Sequence, residues 1–214
     1  MSAVLAFAAA VLALRLAGDL ARRRHLAWAA GLLAYAVASA ALAWGTAHGW
    51  DARAFRVYYL AGGLLTAPLL GTGSLLLAGR RWAAPVALLY SGLAVGVAIA
   101  APVHGTIAGT AVPTAAHHLG WLPRVVAIAG NSSGTFAVVA VALLTFRRRA
   151  VANALLLAGV AVAGFGSGFA GSSAATLAVS IAVAAVLLYM GVVGPRLPVG
   201  ASRLYQATTR SAND

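Results

Sequence analysis

The chain contains no cysteine, no lysine and no glutamate, and its three acidic residues are Asp19, Asp51 and Asp214. The lack of cysteine excludes disulfides, thiolate metal ligands and cysteine nucleophiles. The lack of lysine excludes a retinal Schiff base. No aspartate lies in the middle of an apolar stretch, where pumps and proton-coupled transporters usually carry a carboxylate. These absences argue against a pump and against a retinal photoreceptor.

Motifs of common enzymes are missing as well. The chain has no phosphate-binding Walker loop. It has no pair of carboxylates placed for acid–base catalysis. An enzyme is therefore not the expected class, and the only enzymatic alternative left open is an intramembrane one that uses serine and histidine.

The chain has few charged residues for its length. Of its 214 residues, 62% are hydrophobic and 8% are charged, whereas about one quarter of the residues in a soluble domain are charged. Apolar stretches of about 20 residues recur, and each is long enough to cross a hydrocarbon core of about 30 Å. We predict an all-α bundle of seven transmembrane helices at residues 1–195 and a polar tail at 196–214. The predicted spans cover residues 2–18, 26–48, 54–79, 83–103, 122–146, 150–170 and 174–194.

All 15 basic residues are arginines, and the net charge is +12. They occur in short clusters between the apolar stretches, so they predict membrane orientation and do not indicate nucleic-acid binding. An N-terminus outside the cell places 12 arginines on the cytoplasmic side and three outside, namely Arg53, Arg56 and Arg124. We therefore predict a multi-pass protein of the inner (plasma) membrane with a cytoplasmic C-terminus. The use of arginine without lysine, with abundant alanine, is typical of a GC-rich bacterial genome.

Two patterns bear on how the helices are arranged. Arginines at 22–24 precede the second span and arginines at 147–149 precede the sixth, with one span before each cluster and two after it. This indicates a 3+1+3 parallel repeat as one interpretation, an arrangement found in some transporters. Gly92 and Gly96 lie on one helix face, and this spacing predicts close packing against another helix.

A basic and aromatic group is predicted at the outer side. Arg53, Arg56 and Tyr59 are spaced three residues apart, so they share a helix face, and Arg124 begins the fifth span on the same side. Guanidinium groups match carboxylate and phosphate geometry, so this group predicts contacts to an anionic ligand. The alternatives are that the arginines reach to lipid headgroups or that one of them pairs with Asp51.

Asn131 begins a polar run, Asn-Ser-Ser-Gly-Thr, near the middle of the fifth predicted span. An amide at that depth is costly unless it faces other helices or water. Asn131 is therefore predicted to contact a ligand or to form a hydrogen bond between helices.

Four histidines are predicted at the outer level: His48, His104, His117 and His118. They are candidates for a metal or haem site. Their spacing is not diagnostic, because the adjacent His117 and His118 point in different directions on a regular element. We expect no cofactor, and loop histidines that face water are the alternative interpretation.

Several segments resemble a known family. They are the basic turn that leads into Trp28, the stretch Phe-Arg-Val-Tyr-Tyr-Leu-Ala-Gly at 55–62, and Asn131 with Gly134 after Arg124. The chain resembles uncharacterised seven-span bacterial membrane proteins that are similar to the membrane sensor regions of histidine kinases. This resemblance implies ligand sensing or an accessory role. The 3+1+3 count also resembles that of sugar-transporting bundles.

Three functional hypotheses follow. In the first, a small anionic or amphipathic ligand enters from the outer side and is sensed or transported, with Arg53, Arg56, Tyr59, Arg124 and Asn131 lining its site. In the second, the chain is a non-catalytic subunit or scaffold of a larger membrane complex or of a homo-oligomer. In the third, it carries haem or a metal on the outer histidines. In all three hypotheses the protein is embedded in the lipid bilayer.

Overall fold

The computed structural model describes residues 1–168 and 173–194, without the side chains of 166–168. Within these ranges the chain is helical and forms no strand, apart from an isolated bridge between Val103 and Leu119. The predicted tail at 196–214 lies outside the described residues, as does its boundary at residue 195.

Seven helices account for most of the described chain. We number them α1 (Ser2–Arg22), α2 (Leu26–His48), α3 (Ala52–Leu77), α4 (Ala83–Ala100), α5 (Trp121–Leu144), α6 (Ala150–Gly168) and α7 (Ala174–Val193). A single helical turn, Ala115–His118, lies in the loop between α4 and α5, and a short 3₁₀ segment, Phe146–Arg148, joins α5 to α6.

Six of these helices, all except α6, are long and apolar enough to cross a membrane. Helix α6 is equally apolar in character but shorter over Ala150–Phe165. For the described residues the prediction of an all-helical protein is therefore confirmed, with six helices of the length and hydropathy that a multi-pass membrane protein needs. The count of seven spans, the orientation and the repeat stay predictions.

Contacts between helix ends show which connectors share one end of the bundle. Trp28, near the start of α2, packs on Gly73, near the end of α3. Gly191, near the end of α7, packs against Leu156 of α6. Tyr189, near the end of α7, also hydrogen-bonds to Asp19, near the end of α1. The connectors after α1, α3 and α5, which carry the arginine clusters at 22–24, 80–81 and 147–149, therefore lie at the same end.

Asp19 joins α1 to α7 at this arginine-rich end. Its Oδ2 accepts hydrogen bonds from the Tyr189 hydroxyl and from Arg23 Nε, each at 2.6 Å. The hydrogen bond to the Asp19 carboxylate raises the pKa of Arg23 above its usual value. The predicted first span ended at residue 18, whereas the helix continues through Asp19 to Arg22.

At the opposite end, the loop between α4 and α5 folds back over the bundle. The backbone N–H of Trp50 donates to the Gly109 carbonyl at 2.9 Å, and the backbone N–H of His104 donates to the His118 carbonyl at 2.9 Å. Trp50 itself is buried, at 3% exposure. The loop is thus anchored both to the α2–α3 turn and to itself.

Helices α3 and α5 cross at a contact between two glycines. A Cβ atom on Gly71 would lie 2.6 Å from the Gly134 Cα, and a Cβ on Gly134 would overlap the carbonyl oxygen of Ala67. Only glycine permits such an approach of two backbones. The predicted close packing at Gly92 and Gly96 is not made within the described chain, because no atom lies within 4 Å of a Cβ at either position.

The α3–α5 crossing makes a stability prediction. Gly134→Ala is expected to lower the free energy of unfolding by about 1–3 kcal/mol, because the added methyl meets backbone that cannot yield without separating the helices. Thermal unfolding of the detergent-purified protein, followed by tryptophan fluorescence, measures this. Gly96→Ala is the matched control and is expected to be neutral or slightly stabilising, since alanine favours helix. Equal losses in the two variants would contradict the assignment of the crossing.

Candidate functional site

The middle of α3 departs from regular α-helix. Tyr59–Leu65 forms a π-helical segment, and the Thr66 N–H donates to the Ala61 carbonyl, five residues earlier. The Thr66 hydroxyl donates to the same carbonyl at 2.8 Å. Segments of this kind are often found at functional sites.

Pro68 gives a physical reason for this irregularity. Proline has no N–H, so position 68 cannot donate to the Leu64 carbonyl, four residues earlier, in an α-helical register, or to the Gly63 carbonyl, five residues earlier, in a π-helical register. Both carbonyls have donors from neighbouring helices. The Tyr90 hydroxyl of α4 lies 3.0 Å from the Leu64 oxygen and 3.1 Å from the Val126 oxygen, and Asn131 Nδ2 of α5 donates to the Gly63 oxygen at 2.9 Å.

Hydrogen bonds from two further side chains fix the loop-covered end of α3. The Tyr59 hydroxyl donates to the Pro123 carbonyl in the first turn of α5 at 3.2 Å. Arg56 donates to the carbonyls of Ala98 and Ile99 at 2.7 Å each. These carbonyls belong to the last turn of α4, so the cationic Arg56 caps that helix where its dipole is negative.

A cavity of about 530 Å³ lies between α2, α3, α5, α6 and α7, beside the loop between α4 and α5. Its floor is apolar and includes Leu70, Val138 and Leu188. Leu188 is fully buried and Val138 is 2% exposed. Toward the loop, the walls are aromatic and aliphatic and include Phe55 and Tyr58.

A polar band lies between the floor and the loop, and it consists of neutral groups. The band is formed by Tyr35, Thr66, Asn131, Thr135 and Ser180. Within the described residues, no charged side chain lines the cavity. Its chemistry there is hydrogen bonding and apolar contact, without a formal charge.

Hydrogen-bonding capacity remains free in this band. The Gly63 oxygen only accepts, so the amide nitrogen of Asn131 must face it, which leaves Oδ1 as an unused acceptor. The hydroxyls of Tyr35, Thr135 and Ser180 make no hydrogen bond within the described part of the chain. A bound molecule would find both donors and acceptors at this level.

The five predicted ligand residues do not all lie together. Tyr59 and Asn131 line the cavity, whereas Arg53, Arg56 and Arg124 do not. Arg53 and Arg124 are exposed and make no hydrogen bond to any described residue. Their predicted role in binding an anion stays a prediction, and it concerns a place outside the cavity.

The histidines are spread along the loop-covered end. His48 stacks on Trp44 with ring centroids 4.3 Å apart. His118 Nδ1 lies 2.9 Å from the His104 carbonyl oxygen, and His117 is exposed. No group of three or more His, Cys, Asp or Glu side chains able to hold a metal occurs among residues 1–168 and 173–194.

Sequence reasoning missed several members of the site. Tyr35 and Ser180 are polar residues within apolar helices, and this is a signal that would have selected them, as its position in an apolar helix selected Asn131. Pro68 was a second signal, since a proline in mid-span leaves carbonyls that other groups must satisfy.

No protein-family model matches the chain, and comparison with curated proteins and with solved structures finds no similar protein. The resemblance to the membrane sensor regions of histidine kinases therefore stays a prediction. The function has to be argued from the site alone.

The link between Pro68 and Asn131 makes a prediction about stability. Asn131→Leu is expected to lower the free energy of unfolding by about 1–2 kcal/mol, because the Gly63 carbonyl loses its donor in an apolar environment. In a Pro68→Ala background, the restored N–H of residue 68 can donate to the Gly63 or the Leu64 carbonyl. The loss of unfolding free energy caused by Asn131→Leu should then fall to less than half. Thermal unfolding of the wild type, the two single variants and the double variant measures this coupling.

The control for this cycle is Ser132→Leu, at an exposed position of the same helix that makes no hydrogen bond within the described residues. Its effect should be small and equal in both backgrounds. If the losses of unfolding free energy caused by Pro68→Ala and Asn131→Leu were fully additive, Asn131 would not compensate for the N–H that proline lacks.

Proposed function

We propose that this multi-pass membrane protein binds a small, uncharged amphipathic ligand in the cavity, for sensing or transport. The observation that carries the proposal is the cavity of about 530 Å³, with free hydrogen-bonding groups between apolar walls. Small-molecule sites are commonly about 300–1,000 Å³ and are mostly apolar with a few polar groups that orient the ligand. The cavity agrees with that pattern in size and chemistry.

The lining favours an uncharged ligand over an anionic one. A charge near the middle of a membrane costs at least about 2.5–3.5 kcal/mol when nothing compensates it. The cavity lining offers no cation among the described residues. Arg56, one of the arginines predicted to bind an anion, is engaged at the end of α4.

We also propose seven spans, with the N-terminus outside and the C-terminus in the cytoplasm, in the plasma membrane. Helix α6 supports the seventh span because it packs along α7, with Gly159 against Leu188 and Leu156 against Gly191.

The distribution of charge supports the orientation. One end of the bundle has Arg15, the clusters at 22–24 and 147–149, and the pair at 80–81, and the other has Arg53, Arg56 and Arg124. The loop beside the cavity then faces outside, so the ligand arrives from the outer side.

The absence of cysteine makes this topology directly testable. Thr110→Cys and Ser173→Cys should react with a membrane-impermeant maleimide on intact cells. Ala78→Cys and Ala150→Cys should react only after the membrane is permeabilised. Because positions 150 and 173 flank α6, labelling of both from the same side would contradict a seventh span. The wild-type chain, without a thiol, is the background control.

Ligand binding can be tested with a pair of compounds that differ in charge. We expect 4-phenylbutan-1-ol to raise the unfolding temperature of the purified protein more than 4-phenylbutanoate does. Thr135→Trp, which fills the cavity at the polar band, should remove this difference. Ser132→Trp, on the same helix but outside the lining, should retain it. A preference for the anion that Thr135→Trp leaves unchanged would contradict the proposed site.

A further inference from the structure

The dimensions of the cavity constrain the shape of what it holds. Its lining residues on α3 extend from Phe55 to Leu70, which are 15 residues apart, or about 22 Å along a helix. On α7 they extend from Leu177 to Leu188, 11 residues apart, or about 16 Å. Measured between the backbone positions of its lining residues, the site therefore spans about 20 Å in the direction of the helices.

A long cavity of this volume is narrow. Dividing about 530 Å³ by about 20 Å gives a mean cross-section of about 26 Å², or about 5 Å on a side. A compact molecule that filled the same volume would be about 8 Å across in every direction. The shape therefore fits one extended chain better than a globular molecule.

Packing contacts fix the depth of the polar band. Asn131 hydrogen-bonds to Gly63, and the neighbouring Gly134 contacts Ala67. These contacts place Asn131 and Thr135 beside residues 63–67 of α3, which is the middle of that 26-residue helix.

Tyr35 belongs to the same level. It lies on α2 between Gly31, which packs on Leu70, and Ala38, which packs on Gly62. Free groups from α2 and α5 therefore meet at one depth.

The space on the two sides of the band is unequal. Leu70 lies about one helical turn, or 5 Å, below the band and belongs to a packed core cluster with Val138 and Leu188. On the other side the cavity continues to Phe55, eight residues above Gly63, or about 12 Å. A ligand whose polar group is held by the band must therefore extend toward the loop.

The free atoms of the band also constrain the polar group. Asn131 Oδ1 only accepts, so the ligand has to donate a hydrogen bond to it. The hydroxyls of Thr135 and Tyr35 both donate and accept. A buried acceptor left without a donor is costly, so the site should discriminate against an analogue that lacks the donor.

We propose that the ligand is a linear, uncharged amphiphile of the long-chain alcohol or amide class. Its head binds Asn131, Thr135 and Tyr35 at mid-membrane, and its single hydrocarbon chain extends toward the loop between α4 and α5. This inference rests on the proposed function, which requires only that some uncharged ligand occupies the cavity.

The test compares 1-decanol with decyl methyl ether, which lacks the donor, and with 1-adamantanol, which has a hydroxyl on a compact body. Dissociation constants are measured by native mass spectrometry of the purified full-length protein. We expect 1-decanol to bind in a 1:1 ratio and at least about ten times more tightly than either of the other two, a factor equivalent to one well-made buried hydrogen bond.

Thr135→Val removes one hydroxyl with almost no change in volume, so it should fold normally. It is expected to weaken the binding of 1-decanol several-fold, because the alcohol oxygen loses the hydrogen-bond partner that the Thr135 hydroxyl provides. Ser132→Ala, at an exposed position outside the lining, should keep the wild-type affinity for 1-decanol.

The outcomes separate the two proposals. If 1-adamantanol binds more tightly than 1-decanol, or if Thr135→Val leaves the affinity for 1-decanol unchanged, the linear amphiphile is wrong while the uncharged-ligand site stands. A phospholipid that the wild type retains and Thr135→Trp loses would also overturn the alcohol or amide class. If neither alcohol binds the wild type more tightly than it binds Thr135→Trp, the cavity is not a ligand site and both proposals fail.

Discussion

Every backbone carbonyl inside a hydrocarbon core needs a donor from the protein, because neither lipid nor water supplies one there. Pro68 removes one backbone donor from the middle of α3, and the surrounding structure compensates for it. Tyr90 reaches the Leu64 carbonyl from α4, and Asn131 reaches the Gly63 carbonyl from α5. These two hydrogen bonds tie α4 and α5 to α3 next to the π-helical segment that lies beside the cavity.

Small residues then determine where the bundle is tight and where it is open. Helices α3 and α5 touch through Gly71 and Gly134, and α6 and α7 touch through Gly159 and Gly191. The cavity lies between these two close pairs, where Gly62, Gly63 and other small residues form part of its wall. Side chains this short cannot fill the space that remains between helices of fixed spacing. Glycines therefore permit close contact between helices at positions 71, 134, 159 and 191, and they leave space unfilled at positions 62 and 63.

The charged side chains of residues 1–168 and 173–194 lie outside the lining of this cavity. The arginine clusters lie at one end of the bundle, and Asp19 links Arg23 and Tyr189 there. At the other end, Arg56 caps α4, and Asp51 accepts a hydrogen bond from the Ala54 N–H at the start of α3. The ionic groups thus serve helix ends and connectors. The polar groups that line the cavity within the described chain are uncharged, and they suit uncharged ligands that partition into a membrane.

The sequence by itself determined the helical class, the approximate bounds of the helices and the apolar character that makes six of them potential spans, because hydropathy and length are local properties. It also selected Asn131, since an amide in an apolar run must find a partner. Only the tertiary structure decided which residues line the cavity and which arginine caps a helix. These helices are apolar around most of their circumference, so no amphipathic pattern marks an inward face. Which faces meet is settled by long-range contacts such as those of Pro68, Gly71 and Gly134.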